Sequence, residues 1–334
     1  MSILITGGSG FIGSHMAGQL MSQGQDFIVI DNLSNSRLDN LHRLEKQFNQ
    51  KIKFYKIDLR DFKQLASFFF QHQINAVIHF AALKSVNESI KKPELYFQNN
   101  VEGSQNLFKL IKRHHIKKLI FSSSACIYGE PNYLPIDELH SLKPLSPYGQ
   151  TKVNVEELLI GDDYFQNEGS VKILRYFNPI GSFTGSLIGE RPQGIPNNLM
   201  PYILGVVQGL YPYLKVYGDD YNTRDGTAIR DYIHIMDLID AHGLALDDDR
   251  SGVEILNVGT GQGYTVLDII KTFNNVNGTE LPYQIYPRRE GDVESCFADA
   301  TKIRNQLGWQ ASRNLSIMCE DAYNFAMKKI SYDQ

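Results

Sequence analysis

The chain has 334 residues, which is too long for one ordinary hydrophobic core and is typical of one large domain or two linked domains. Its composition is 42% hydrophobic and 21% charged, and a formal net charge of −4 argues against nucleic acid or an acidic membrane as the main partner. Three widely separated cysteines without a CxxC pair predict free thiols in a reducing compartment, with no disulfide framework and no metal site.

The N-terminal residues read MSILIT, without a charged leader. No apolar run approaches the roughly 18 residues that a membrane span needs. We therefore expect a cytoplasmic protein.

The first half of the chain alternates short β-branched runs with helix-length segments. Candidate strands are residues 2–6, 26–31, 52–57, 76–81, 118–122 and 171–176, and candidate helices include residues 11–23 and 101–113. Nearly continuous apolar strands that are joined by helices indicate a parallel sheet covered on both sides. We predict a doubly wound, Rossmann-like α/β domain in residues 1–180.

The texture changes after residue 180, where glycine, proline and tyrosine become frequent and the strand–helix alternation becomes irregular. This predicts a second, smaller, loop-rich α/β domain in residues 181–334. The segment 230–245 is a candidate to return to the first domain, so this boundary is soft.

A glycine-rich loop, TGGSGFIG, follows the first candidate strand and opens the first candidate helix. Gly7, Gly10 and Gly13 allow a sharp turn and a close approach of the backbone to a pyrophosphate, which the helix N-terminus then binds through its free N–H groups. A glycine triplet alone is a weak signal, but this one begins a strand–helix–strand unit, the context that a dinucleotide site requires.

Acidic residues end the next two candidate strands. Asp31, eighteen residues beyond Gly13, is placed to accept hydrogen bonds from the adenosine ribose and to disfavour a 2′-phosphate, which predicts NAD rather than NADP. An ordinary turn in DNLSNS is the alternative for Asp31. Asp58 is a candidate adenine contact, and a helix N-cap is nearly as good an interpretation of it.

A serine cluster ends the fifth candidate strand, at the edge of the sheet where ligands bind in doubly wound folds. Ser124 lies in this cluster, and Tyr148 follows it with Lys152 one helical turn later. An ammonium and a cationic nicotinamide would both favour the Tyr148 phenolate, and lowering its pKa from about 10 to near 7 needs about 4 kcal/mol. Tyr148 is thus a candidate general base with Ser124 as a partner.

These motifs resemble those of the extended short-chain dehydrogenase/reductases and, within them, the UDP-galactose (UDP-glucose) 4-epimerases. The landmarks are TGGSGFIGSH, DNLSNS, VIHFAALKSVNES, NNVEGS, FSSSACIYG, SPYGQTK, RYFNPIG, PQGIPNNLMPY, DGTAIRDYIHIMDL, NVGTG and PRREGD, and they run from residue 4 to about residue 300. The resemblance implies an NAD-dependent isomerase that oxidises C4 of a UDP-hexose and reduces it again on the other face. It also implies a homodimer through helices of the first domain.

The resemblance implies site residues one by one. Ser124, Tyr148 and Lys152 would be catalytic. The cofactor would be held by Gly7, Gly10, Phe11, Ile12, Gly13, Asp31, Asn32, Asn35, Ser36, Asp58, Leu59, Phe80, Ala81, Ala82, Lys84, Asn99, Tyr148, Lys152 and Phe177. The UDP-sugar would be held by Ser124, Tyr148, Asn178, Asn198, Leu199, Val216, Tyr217, Arg230, Arg289, Asp292 and Cys296.

Some of these residues would also be expected in a chain without a ligand site. Phe80 and Ala81 would be core residues at a strand end in any α/β protein, and either arginine could form a surface salt bridge. Two arginines nevertheless suit a diphosphate, which favours guanidinium forks.

Cys296 is a candidate determinant of the size of the sugar that the site accepts. In the family that the sequence resembles, a tyrosine at this position accompanies sites limited to glucose and galactose, and smaller residues accompany room for a 2-N-acetyl group. Cysteine leaves a small apolar lining, so we expect UDP-GlcNAc and UDP-GalNAc to be accepted as well. A merely buried thiol is the alternative.

Two other functions fit the same fold. A sugar-nucleotide dehydratase or dehydrogenase is one, although Ala125 and Cys126 follow Ser124, where related dehydratases carry an Asp-Glu pair. A non-catalytic NAD-binding module is the other, and it would be expected to lack an intact Ser–Tyr–Lys set.

Overall fold

The computed structural model describes residues 2–289 and 291–328. The strands in these ranges are β1 Ile3–Thr6, β2 Phe27–Asp31, β3 Lys53–Lys56, β4 Ala76–His79, β5 Lys118–Ser124, β6 Ser170–Tyr176, β7 Asn178–Ile180, β8 Leu214–Tyr217, β9 Ile229–His234, β10 Gly252–Val258, β11 Gly263–Thr265, β12 Tyr283–Tyr286 and β13 Ser295–Cys296. The α-helices are α1 Phe11–Ser22, α2 Asp39–Phe48, α3 Phe62–Gln71, α4 Val86–Lys91, α5 Pro93–Tyr96, α6 Gly103–Arg113, α7 Pro147–Ile160, α8 Asp163–Asn167, α9 Leu199–Val207, α10 Ile235–Asp247, α11 Val266–Asn277, α12 Thr301–Leu307 and α13 Leu315–Met327.

Seven parallel strands form the main sheet in the order β10-β6-β5-β4-β1-β2-β3. The order reverses between β1 and β4, so the loops after these two strands diverge and leave a crevice. The glycine-rich loop follows β1 at this point. The predicted doubly wound α/β fold is confirmed.

Both faces of the main sheet are buried, because successive strand residues point to opposite sides. Ile3 and Ile5 pack with α1, α2 and α10 on one face. Leu4 packs with α3, α6 and α7 on the other face. The near-continuous apolar strands predicted from the sequence therefore reflect two cores rather than one.

A π-helical segment, Phe97–Glu102, precedes α6 and overlaps only the first two residues of the predicted helix 101–113. It includes Asn99, which was predicted to contact the cofactor. Single π turns inside helices occur often at functional sites.

The smaller part of the protein is built around β9. This strand pairs with β11 and β13 along its first half and with β7 along its second half. The pair β8 and β12 forms a separate parallel ribbon. The apolar cluster beneath these strands contains residues of α9, α11 and α13, among them Ile203, Phe273 and Met318.

The chain crosses between the two parts more than once. After β9, helix α10 packs on α1 and β10 pairs with β6, so residues 235–258 lie in the layers of the first sheet. The boundary at residue 180 therefore does not separate two continuous pieces of chain, and β10 is a strand that the sequence reasoning did not include. Residues 329–334 of the predicted second domain lie outside the described residues.

No helix within the described ranges is long and apolar enough to cross a membrane.

Candidate active site

The glycine-rich loop has the shape of a phosphate cradle. A Cβ on Gly7, whose φ is +69°, would lie 2.6 Å from the Ala81 nitrogen, and a Cβ on Gly13 would lie 2.4 Å from the Gly7 oxygen. Gly10 caps α1 without a side-chain hydrogen bond, so the first N–H groups of this helix are directed at the crevice and available to an anion. The loop therefore fits a dinucleotide pyrophosphate.

Asp31 lies at the end of β2 and is 7% exposed. Its carboxylate accepts hydrogen bonds from the Ser9 and Leu33 backbone nitrogens, at 3.1 and 2.8 Å, and from the Ser36 hydroxyl at 2.8 Å. These contacts hold the carboxylate beside the glycine loop, where a ribose would lie. The contacts with Leu33 and Ser36 are those of a turn, and the carboxylate also lines the crevice at a position that fits a nucleotide.

Asp58 lies across the crevice from Asp31. It accepts a hydrogen bond from Asn32 at 3.0 Å, and Arg60 lowers the pKa of Asp58 to about 2. The N-cap of α3 is Asp61, whose side chain accepts from the Gln64 nitrogen. The capping alternative for Asp58 therefore does not hold.

The crevice between these elements is called the cofactor cleft here. The predicted cofactor residues that line it are Gly7, Gly10, Phe11, Ile12, Gly13, Asp31, Asn32, Asn35, Ser36, Asp58, Leu59, Phe80, Ala81, Ala82, Lys84 and Asn99. Phe177 lies in the neighbouring cavity instead, because it begins the turn from β6 into β7. Lys84 forms an ion pair with Glu190 at 2.9 Å, which joins the cofactor cleft to the segment around residue 190.

The end of β5 lies between the cofactor cleft and the second part of the protein. Lys152 Nζ donates a hydrogen bond to the Ser122 carbonyl oxygen at 2.6 Å, and the Tyr176 hydroxyl donates to Ser122 Oγ. Lys152 Nζ also lies 6.0 Å from the ring centroid of Tyr148. Helix α7, which Ser146 caps, presents Tyr148 and Lys152 on one face.

The ionisation of the pair is governed by burial. Burial raises the pKa of Tyr148, and a hydrogen bond with Ser124 acts in the opposite direction. Burial also lowers the pKa of Lys152 to about 8, against the raising effect of Glu156. Burial thus acts against the Tyr148 phenolate, which the sequence argument expects two cations, Lys152 and the nicotinamide, to favour.

Two adjoining cavities beyond Ser124 are called the substrate cleft here. The inner cavity is lined by Ser124, Cys126, Phe177, Asn178 and Cys296, among others. The outer cavity is lined by tyrosines of the β8 region and includes Val216 and Tyr217. Asn198, Leu199, Arg230, Arg289 and Asp292 line both cavities. The substrate residues predicted from the resemblance, other than the buried Tyr148, are thus brought together here.

Two arginines converge in the middle of the substrate cleft. Arg289 Nε lies 2.8 Å from an Asp292 carboxylate oxygen, and Arg230 Nη2 lies 3.8 Å from the other. The Arg289 guanidinium also lies 4.8 Å from the Tyr217 ring centroid. Two guanidinium groups on one shared carboxylate leave donors for a diphosphate.

Asp231 fixes the strand that carries Arg230. It is fully buried in β9, and its carboxylate accepts from the backbone nitrogens of Thr260, Gly261 and Ala298, at 2.9, 3.0 and 3.2 Å. The Thr260 hydroxyl donates at 2.6 Å. Asp231 thus ties β9 to the NVGTG segment and to β13, which accounts for that landmark.

We expect Asp231→Ala to lower the free energy of unfolding by about 3 kcal/mol, because buried donors lose their acceptor. Chemical denaturation measures this. Asp249→Ala is the control, since Asp249 is 84% exposed in its ion pair with Lys118 and such pairs contribute about 0–1 kcal/mol. Equal losses in the two variants would contradict the role given to Asp231.

We expect Gly13→Ala to weaken NAD+ binding at least about tenfold, since the new Cβ collides with loop backbone that cannot move aside. Titration of nucleotide-stripped protein with NAD+ measures this. Gly243→Ala on α10 is the matched control, because the nearest atom to its Cβ is Gln19 Nε2 at 3.8 Å. Unchanged affinity in Gly13→Ala would contradict the cradle.

Sequence reasoning missed several residues of the site. Ser122 and Ser123 bind Lys152 and Glu156, whereas only Ser124 of this cluster was assigned a role. Glu156 follows Lys152 by four residues, as Lys152 follows Tyr148. This four-residue spacing is the sequence signal that could have identified Glu156. Asp231 gave no signal, because its partners are distant in the chain.

Comparisons with known proteins agree with this geometry. A family model described as GDP-mannose 4,6 dehydratase matches residues 4–322. A UDP-glucose 4-epimerase of Yersinia enterocolitica is 47% identical, with 97% of each chain covered. The structure of UDP-glucose 4-epimerase from Bifidobacterium longum in complex with NAD+ and UDP superposes with a TM-score of 0.93, at 42% identity, over 97% of this chain and 98% of that one.

The UDP-Glc/GlcNAc 4-epimerase of Campylobacter jejuni superposes with a TM-score of 0.84 at 35% identity, over 97% of this chain and 98% of that one. Since relatives at this identity span essentially the whole chain, the chain belongs to the UDP-glucose 4-epimerase family within the extended short-chain dehydrogenase/reductases.

Proposed function

We propose that the protein interconverts UDP-glucose and UDP-galactose through a 4-keto sugar, with NAD as its cofactor. The observation that carries this proposal is that the end of β5 joins the two clefts. Ser122, which accepts the Lys152 hydrogen bond, lines the cofactor cleft, and Ser124 lines the substrate cleft, while Tyr148 and Lys152 are buried. A dehydrogenase would hold cofactor and sugar together in the same way, and it is the relatives, described as UDP-glucose 4-epimerases, that favour return of the hydride to the sugar.

The cofactor cleft fits NAD through the glycine loop, the N-terminus of α1 and the Asp31 carboxylate. When bound, NAD+ would accept the hydride that leaves C4 of the hexose, and its reduced form would return that hydride to C4. Asp31 disfavours a 2′-phosphate by charge repulsion and so selects NAD over NADP.

The protein supplies the proton transfers and the orientation. Tyr148 takes the proton of the C4 hydroxyl and returns it, and Ser124 hydrogen-bonds the same oxygen. Lys152, held by the Ser122 carbonyl, places a positive charge beside Tyr148 and so favours the phenolate that takes this proton. Arg230 and Arg289 hold the diphosphate, so the sugar can turn within the inner cavity while the nucleotide stays bound.

Purified protein incubated with UDP-galactose and no added NAD tests this function. The expected product is UDP-glucose, measured by ion-exchange chromatography, without net NADH. Accumulation of NADH or loss of water would instead indicate a dehydrogenase or a dehydratase. Inertness would indicate a non-catalytic NAD-binding module.

We propose that UDP-GlcNAc and UDP-GalNAc are substrates as well. Cys296 lines the inner cavity, and burial raises the pKa of its thiol to about 12, so it presents a small neutral side chain. A relative described as a UDP-Glc/GlcNAc 4-epimerase shares the fold over essentially the whole chain. Turnover of the acetylated pair by the purified protein tests this.

We also propose a cytoplasmic homodimer. Ile90, Phe97 and Ile160 are between 42% and 50% exposed on adjoining helical segments of the first domain. A second copy of the chain would cover this apolar surface. Light scattering on the purified protein is expected to give twice the mass of 37.9 kDa, and Phe97→Glu is expected to give a monomer.

A further inference from the structure

A buried ion pair lies beneath the catalytic residues. Glu156, on α7, is 1% exposed, and its carboxylate accepts hydrogen bonds from Arg175 of β6. The three nitrogen–oxygen distances are 2.6, 3.1 and 3.2 Å. Such a pair costs desolvation free energy and is weak evidence for stability by itself, so stability alone does not account for its position.

Glu156 is connected to two catalytic residues. It follows Lys152 by four residues on α7, as Lys152 follows Tyr148, so the three side chains lie along one face of the helix. The Ser123 hydroxyl donates a hydrogen bond to the Glu156 carboxylate. Ser123 directly precedes Ser124, so the same carboxylate supports the end of β5.

We propose that Glu156 is a positioning residue for the reaction: it keeps Lys152 an ammonium and holds the end of β5 that carries Ser124. This inference rests on the proposed epimerase activity. Arg175 holds the Glu156 carboxylate in place, and its further bonds to the Tyr128 hydroxyl and to the Glu138 carbonyl fix the guanidinium.

The groups around Lys152 determine whether Glu156 raises or lowers the pKa of the lysine. Burial lowers the pKa of Lys152 to about 8, and Glu156 and then Cys126 raise it. Tyr148 lies beside it, and His79 of β4 faces it as a neutral ring, because burial lowers the pKa of His79 to about 3. The Glu156 carboxylate is the first of the two groups that raise the Lys152 pKa, so its removal is expected to shift the lysine toward the neutral amine.

Glu156→Gln keeps the size and the Ser123 contact and removes the charge. We expect the alkaline limb of the kcat/KM profile to move to lower pH by about one unit. The Lys152 resonance of protein that carries ¹³Cε-labelled lysine, followed by NMR across pH, is expected to show the same shift without any need for turnover. Ser123→Ala is the matched control: it keeps the charge, so the rate falls severalfold while the limb stays in place.

Glu156→Gln leaves Arg175 buried without its partner and could unfold the protein. The double variant Glu156→Gln/Arg175→Met removes both charges, and such replacements are often tolerated. The alkaline limb is expected to stay shifted in it, because the Glu156 carboxylate, which lies one helical turn from Lys152 and raises its pKa, is absent.

The inference would be overturned if both charge variants kept the wild-type alkaline limb and the wild-type NMR titration curve and showed only a lower unfolding midpoint. Glu156 would then be a structural residue. A wild-type protein that fails to epimerise UDP-galactose would overturn the proposed function instead. In that case the NMR titration curves still test the effect of Glu156 on the Lys152 pKa.

Discussion

Replacing Tyr148 with phenylalanine is expected to lower kcat about 10³-fold, because it removes the hydroxyl assigned to take and return the C4 proton. The ring is retained, and burial of the site is unchanged, so the protein is expected to fold and to bind NAD+ as the wild type does. Turnover of UDP-galactose under saturating substrate measures the rate, and absorbance of released nucleotide measures cofactor content.

Tyr164→Phe is the matched control for this experiment. The Tyr164 hydroxyl donates to the Ile116 carbonyl, which precedes β5 and so lies toward the end of that strand opposite Ser124. Its loss is expected to leave kcat unchanged. A Tyr148→Phe enzyme within tenfold of the wild type would mean that another group carries the proton.

Cys296→Tyr is expected to abolish most turnover of the N-acetylated pair and to spare UDP-glucose and UDP-galactose. The thiol packs with Ala125, Phe177 and Ala298 at the wall of the inner cavity, and a tyrosine ring there would occupy the space of an acetyl group. Overpacking of this kind costs about 1–3 kcal/mol, which corresponds to a loss of about 5- to 150-fold for the larger substrates.

The ratio of kcat/KM for the two substrate pairs is the measurement. Cys319→Ala serves as the control, because Cys319 is a buried thiol on α13 in another apolar cluster, and its removal is expected to leave the ratio as it was. Equal losses on both pairs in Cys296→Tyr would contradict the specificity role. Absence of activity on the acetylated pair in the wild type would end that proposal.

Six of the seven strands of the first sheet could be predicted from the sequence, because each is a short run rich in β-branched or aromatic residues between helical segments. The candidate strand at residues 76–81 became β4, which ends at His79, and the glycine loop fell directly after β1. Local patterns of this kind depend on neighbours in the chain. The fold class and the position of the cofactor cleft can be predicted from such patterns.

Strand β10 could not be predicted in the same way. It is separated from the other strands of its sheet by β7, β8 and β9, and it joins them only through its pairing with β6. The same holds for Asp231, whose acceptor role depends on backbone nitrogens near residues 260 and 298. Such contacts are set by tertiary packing, which has no local sequence signal.

The ionisation of the site was also beyond local reasoning. The sequence predicted that Lys152 would favour the Tyr148 phenolate, but burial dominates the pKa of both groups in the folded protein. Their burial depends on α7 packing against β5, which neither motif reveals. The position of Glu156 beneath them follows from the same packing.

The central claim is that one site removes a hydride from C4 of the hexose and returns it to the same carbon. UDP-galactose labelled with deuterium at C4, converted in ordinary water and followed by ²H and ¹H NMR, tests this claim directly. We predict UDP-glucose that keeps the deuterium at C4, with no net change in the nicotinamide. Loss of the label to water, or its accumulation in released NADH, would contradict the account.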